Sequence, residues 1–297
     1  MKSQRILKLL KGTFAEWQKD KVPLLAASLA YYTVFSIAPL LLIAISIAGV
    51  FFGEEAVRGE IIGQIQGLVG REGASTIQSM LQNTQKPNSG GAVATIFSVV
   101  TLLLGASGVF GQLQEALNII WEVEPKPGKN IIIFLRSRFL SLAMVLVIGF
   151  LLLVSSLLTT VLVAFTGLIN RLIPGSQILG STLEFIISFS VITLLFAAIY
   201  KVLPDVKVPW RNLWVGSAVT ALLFNIGKIA IGFYLGNSNI ASTYGAAGSV
   251  IIVLIWVFYS AQILLLGAEF TQVYSKSLGA PIRPSEYATT VDKRSGI

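Results

Sequence analysis

Along this chain, long apolar runs that carry no charge alternate with short polar segments rich in lysine and arginine. Val22 to Gly53 holds no charged residue, and neither do Pro87 to Gln114 or Phe139 to Asn170. Leu172 to Tyr200 is interrupted only by Glu184, and Asn212 to Ala268 only by Lys228. Crossing ~30 Å of hydrocarbon takes about 20 apolar residues in a helix. The pattern predicts six transmembrane helices near 24–52, 92–120, 138–165, 183–201, 212–235 and 245–272, with Gly236-Asn237-Ser238-Asn239 dividing the last two. None of these runs shows the ten-residue alternation of a membrane-spanning barrel strand. The expected fold class is therefore all-α, a polytopic membrane protein.

Two amphipathic stretches flank the first span. Ile6, Leu9, Leu10, Phe14 and Trp17 recur at helical spacing among Lys8 and Lys11, which predicts a helix lying on the membrane surface. This apolar register is followed by a first span far longer than the ~7–15 residues of a signal-peptide core, so that span is expected to be retained. Between the first two spans, Val57, Ile61, Ile65 and Leu68 mark one short helix. Ile77, Met80 and Leu81 mark a second, after Gly70-Arg71-Glu72-Gly73. These outer helices are expected to rest on the surface, or alternatively to form a lid over a central cavity. The domain plan is a segment 1–22, a six-span domain 23–275 with an outer helical loop 53–91, and a tail 276–297. Pro281, Pro284 and few large apolar residues predict that the tail is disordered.

Charge sets the expected direction. Lys2, Arg5, Lys8, Lys11, Lys19 and Lys21 precede the first span. Lys126, Lys129, Arg136 and Arg138 follow the second; Lys201, Lys207 and Arg211 follow the fourth; Lys276, Arg283, Lys293 and Arg294 follow the sixth. The opposite side holds only Arg58, Arg71, Lys86 and Arg171. By the positive-inside rule both termini are cytoplasmic. The net charge of +8 thus reflects juxtamembrane segments facing an anionic leaflet, and no nucleic-acid partner is expected.

Composition removes whole classes of chemistry. Only 12% of the 297 residues are charged, against about 25% in soluble domains, and the mean hydropathy is +0.78. With no histidine and no cysteine, zinc sites of His/Cys type, Ser-His-Asp triads, haem or iron–sulfur ligation and disulfides cannot be built. Asp20, Asp205 and Asp292, the chain's aspartates, all fall outside the predicted hydrocarbon, so no intramembrane aspartyl dyad is expected. No GxxxxGK[ST] motif offers a self-contained ATP motor. A Ser-Lys dyad built on Lys228 lacks a sharp serine turn. No enzyme activity, cofactor or metal is expected.

Polar and small residues line one face of several predicted spans. Ser98, Thr101, Gly105, Gly108, Gln112 and Glu115 share a face in the second, with Gly111 adjoining. Ser28, Tyr32 and Ser36 precede Pro39, an expected hinge, in the first. Ser217, Ala221, Asn225, Lys228 and Gly232 form a line in the fifth, and Tyr259, Gln262 and Glu269 in the sixth. Helix packing accounts for small residues such as Gly105, Gly108 and Gly111; a polar interior accounts equally for Asn225, Gln112 and Gln262. Charges within hydrocarbon cost about 2.5–3.5 kcal/mol each. Lys228 lies about 24 Å along its helix from Asn212, at a depth comparable to Glu184. The two are expected to be neighbours or to share a hydrated cavity, with snorkelling of Lys228 as the alternative. Glu115 and Glu269 are expected half-hydrated, near Arg136, Arg138 or Lys201.

Four segments resemble one family. ASLAYYTVFSIAPLLL from Ala27, GASGVFGQLQEALNIIWEV from Gly105, YKVLPDVKVPWRNLWVG from Tyr200 and YGAAGSVIIVLIWVFYSAQILLLGAEF from Tyr244 are together similar to the YihY/BrkB family of bacterial inner-membrane proteins. The resemblance implies a six-span cytoplasmic-membrane protein, from a family discussed as transporters of lipids, ions or protons. Many members once carried the label ribonuclease BN, which the absence of histidine argues against. The family supplies no agreed catalytic residues. The expected function is therefore a transporter or lipid-translocating protein, with a membrane lipid or an ion as substrate. The alternative is a non-transporting scaffold for envelope assembly, and a homo-oligomer fits either.

Overall fold

The computed structural model describes residues 2–84, 105, 108–126, 151, 177–237, 244, 247–279 and 283–291. Helices dominate. In chain order they are α1 (Lys2–Lys19), α2 (Val22–Phe52), α3 (Glu54–Thr84), α4 (108–120), α5 (Gln177–Val202), α6 (Trp210–Asn237) and α7 (Gly248–Ser277). Four of them, α2, α5, α6 and α7, contain a stretch long and apolar enough to cross a membrane. They coincide with the predicted first, fourth, fifth and sixth spans. Of the predicted second span, 108–120 is helical; most of 92–107, and the third span at 138–165 apart from residue 151, lie outside the described residues.

The boundaries follow local chemistry. Lys21 adopts a left-handed conformation (φ 53°) between α1 and α2, and Pro23 occupies the first turn of α2, where its missing N–H leaves no bond unmade. α2 continues through Pro39 as one helix. α3 bends at Gly70, where φ is 78°, a backbone conformation costly for any residue with a Cβ. The bend lies within the Gly70-Arg71-Glu72-Gly73 break read from the sequence. On either side of it, Val57 and then Ile77 and Leu81 are buried against Leu42 and Ile45 of α2 and Val253 of α7. This segment is thus packed on two of the apolar helices through its apolar face.

A larger core lies at the other end of the bundle. Leu117 and Ile120 of α4, with Trp121 just after it, meet Tyr200 and Leu203 of the α5 end, Leu213 of α6 and Leu265 of α7, all essentially inaccessible. α1 packs on the end of α7, with Gly12 against Val273. Ile6, Leu10 and Phe14 remain exposed, an apolar face suited to lie in an interface.

The tail is where expectation and structure part. Residues 283–291 are ordered into strands rather than disordered. β1 (Val123–Pro125) pairs antiparallel with β4 (Ala288–Thr290), in the register Val123 opposite Thr290 and Pro125 opposite Ala288. β2 (Val206–Lys207) pairs with β3 (Arg283–Pro284). The physical reason is that two short connections present backbone groups that need partners, and satisfying them takes backbone, not apolar side chains. Lys126 N–H donates to Tyr287 O and Val291 N–H to Glu122 O, extending the first pairing. The predicted basic segments therefore meet at one end of the bundle, where Glu122 faces Lys19 at 3.8 Å and Lys276 at 3.0 Å.

Candidate functional site

Two polar constructions and one exposed polar line organise the described helices. The first is centred on Asp205. The chain leaves α5 at Val202 and turns through Leu203-Pro204-Asp205 before β2, placing the Asp205 side chain inside the core, 2% exposed. Gln114 and Asn118, one turn apart on α4, share a face. Gln114 Nε2 and Asn118 Nδ2 each donate to Asp205 Oδ2 at 3.1 Å. The Asp205 backbone N–H donates to Asn118 Oδ1 at 2.8 Å, and Ser285 N–H donates to Asp205 O at 2.8 Å. A buried carboxylate is expensive unless hydrogen-bonded, and charge-assisted bonds of this kind are the stronger ones. Asp205 so ties α4, the α5–α6 connection and the tail. Nearby, Gln272 of α7 donates from Nε2 to Ile120 O.

The second construction joins α6 to α7. Thr220 of α6 lies against Gly267 of α7, and Thr271 of α7 against Gly216 of α6, so closely that no Cβ fits at either glycine. Each threonine hydroxyl donates to a carbonyl one turn back on its own helix, Thr220 Oγ1 to Gly216 O at 2.8 Å and Thr271 Oγ1 to Gly267 O at 2.6 Å. Tyr200 from α5 adds its hydroxyl, donating to Leu264 O at 2.6 Å and lying 3.1 Å from Thr220 Oγ1. Small residues allow this backbone approach, and internally satisfied hydroxyls keep it dry.

Third, the polar line predicted on α6 changes environment along the helix. Ser217 and Ala221 are fully buried. Asn225 is half-buried and donates Nδ2 to Ala221 O at 2.8 Å. Lys228 and Gly232 are exposed, beside exposed Ile226, Ile229 and Phe233. Lys228 has no ion pair among the described residues. One turn further, Gly232 and Leu235 join Ile252 and the Gly70 bend in lining an open cavity of about 490 Å³.

Residues 13–289 match the family model described as Virulence factor BrkB. The chain belongs to the BrkB family. It is similar to a UPF0761 membrane protein of Verminephrobacter eiseniae (strain EF01-2), 30% identical over 275 residues, covering 90% of this chain and 61% of that protein. A UPF0761 membrane protein of Vibrio campbellii (strain ATCC BAA-1116) is 30% identical over 281 residues, covering 90% and 84%. The putative ribonuclease-like protein YfkH of Bacillus subtilis (strain 168) is 25% identical over 285 residues, covering 93% and 98%. This chain thus spans less than two thirds of the V. eiseniae relative. No solved structure matches it.

In this BrkB-family protein Tyr32, Ser36 and Pro39 of α2 meet Gly105 and Gly108, while the other sequence-predicted residues disperse. Ser36 Oγ of α2 donates to Gly105 O at 2.6 Å; Pro39 lies against Gly105, and Tyr32 and Ser36 against Gly108. Gly111 has no described neighbour within 4 Å of where a side chain would begin, because a spacing of three drifts about 60° around a helix at each step. Tyr32 is partly exposed, Gln112 and Gln262 are half-buried, and Glu115 is exposed.

Glu269 departs from its expected half-hydrated state and is fully buried, because α7 packs there against α6 and the α4 end. Lys201 is engaged elsewhere, donating to Val208 O at 2.8 Å with its ammonium 5.4 Å from the Trp210 ring centroid. Arg136, Arg138 and the side chain of Glu184 lie outside the described residues, and with them the expected Lys228–Glu184 pairing. Asp205, Asn118 and Gln114 were not singled out by sequence reading. Their signal is the spacing of four between Gln114 and Asn118, beside an aspartate otherwise placed in a connection.

Proposed function

We propose that this BrkB-family membrane protein translocates lipids across the bacterial cytoplasmic membrane, with six spans, both termini cytoplasmic and no ATPase of its own. The observation that carries this reading is Lys228. It is exposed within a spanning helix, on a line from Asn225 to Gly232 that runs into the open cavity. An intramembrane cation is costly unless water or an anion meets it. A polar line on an exposed face suits a lipid, whose chains stay in the bilayer while the headgroup follows the polar groups. A bare ion needs an enclosed path and fits less well. The chain acts without catalysis in this reading: it has no histidine to ligate the metal of a ribonuclease, so the name of the B. subtilis relative is not carried over.

The test is reconstitution of the purified protein in vesicles, following labelled phospholipids and ion flux, with Lys228→Ala alongside. Lipid movement that Lys228→Ala reduces supports the proposal; wild-type inactivity toward lipids overturns it. A second reading, a scaffold for envelope assembly, draws on the α6–α7 contact, whose glycines and threonines are fully used in packing. It gains if the wild-type protein moves neither lipids nor ions.

A further inference from the structure

The cavity at the Gly70 bend has an uneven lining. It mixes the polar Gln66, Arg71 and Glu72 of α3 with the apolar Leu68, Leu235 and Ile252. Its volume of about 490 Å³ lies within the range of about 300–1,000 Å³ seen for small-molecule sites. Arg71 is exposed and has no ion pair among the described residues, as is the case for Lys228. On α6, Asn225, Lys228, Gly232 and Leu235 are spaced by three, four and three, so they share one face. Lys228 precedes Gly232 by about 6 Å along the helix axis, a distance a lysine stem can span.

Resting on the lipid-translocation reading, we propose that this cavity and Lys228 form one docking site for the phosphate-bearing headgroup of an anionic membrane lipid. Arg71 and Lys228 give two cations against the single carboxylate of Glu72, so the site favours a ligand with net negative charge. Arg71 presents a planar fork matched to phosphate oxygens. Leu68, Leu235 and Ile252 in the same lining offer apolar surface to acyl chains. That apolar surface is what distinguishes a lipid from free phosphate as the occupant.

The experiment places the full chain in nanodiscs of mixed phosphatidylglycerol, phosphatidylethanolamine and phosphatidylcholine and measures retained lipids by native mass spectrometry. Wild type is expected to enrich phosphatidylglycerol. Lys228→Gln and Arg71→Gln should each lower that enrichment about five-fold, the scale of one lost cation at a membrane surface, while Lys228→Arg retains it. Equal retention of the three lipids, or enrichment unchanged in both glutamine variants, overturns the proposal. So does thermal stabilisation by inorganic phosphate equal to that by phosphatidylglycerol, because the ligand is then not a lipid. Selective retention without transport in the vesicle assay supports this site and sinks the translocation reading; transport without selective retention does the reverse.

Discussion

Asn118 grips Asp205 from both directions, its amide nitrogen donating to the carboxylate and its amide oxygen accepting the aspartate's own backbone N–H. One side chain on α4 therefore fixes the position and the orientation of the α5–α6 connection. Asn118→Ala is expected to leave a buried carboxylate oxygen and a buried N–H each short of a partner, at a cost of about 1–3 kcal/mol. The check is thermal unfolding in detergent, compared with Gln262→Ala on half-buried surface. Equal midpoints for the two variants would mean the bonds are dispensable.

The α6–α7 contact makes a sharper demand. Gly267→Ala places a methyl group onto Thr220 Oγ1 and the Tyr200 hydroxyl, and overpacking of this kind costs about 1–3 kcal/mol. Thr220→Ala should recover part of that loss when combined with it, because the two positions touch. A double mutant whose destabilisation is the plain sum of the singles would show that the helices do not meet there.

Ala288 is buried where β4 meets β1. Ala288→Glu is expected to release the tail, since an unpaired buried charge costs about 2 kcal/mol or more. Limited proteolysis in detergent should then cut near 122–126 and 203–209 faster than in wild type. Unchanged cleavage rates would show that the strands contribute no protection.

The Lys19 ammonium is held above the ordinary lysine value of 10.5, first by its hydrogen bond to Glu16, against partial desolvation, with Glu122 and Asp20 adding attraction. A raised lysine contributes fully below its unfolded value and loses that contribution as pH climbs through the folded one. The Lys19–Glu16 pair, and with it the weaker pull of Glu122, should accordingly be constant from neutral pH to about pH 10 and weaken above it. Hydrogen exchange across 2–19 at stepped alkaline pH reads this directly, and Lys19→Arg should move the loss to higher pH.

How much of this was legible in the sequence depends on the range of the interaction. α2, α5, α6 and α7 follow from long runs with no charge or a single one, because crossing hydrocarbon is a property of a single segment. The Gly70 bend is likewise local, a glycine where φ turns positive. The strands of 283–291 were not legible: they satisfy backbone groups about 80 and 165 residues away, and their side chains carry little apolar signal. Asp205 escaped because its partners lie on another helix, so a residue read only as falling outside the hydrocarbon proved to be core. On α6, one stripe was read as a single environment. Packing on α7 buries Ser217 and Ala221, and the same stripe emerges exposed at Lys228.

Paired strands drawn from such distant places impose an order on biosynthesis. The spanning helices can enter the bilayer one after another as they leave the ribosome. Residues 123–125 and 206–207, however, wait with bare edges until 283–291 have been made. Bare edges invite pairing with the wrong chain, so a translational stall before position 283 would leave an inserted bundle with two adhesive loops.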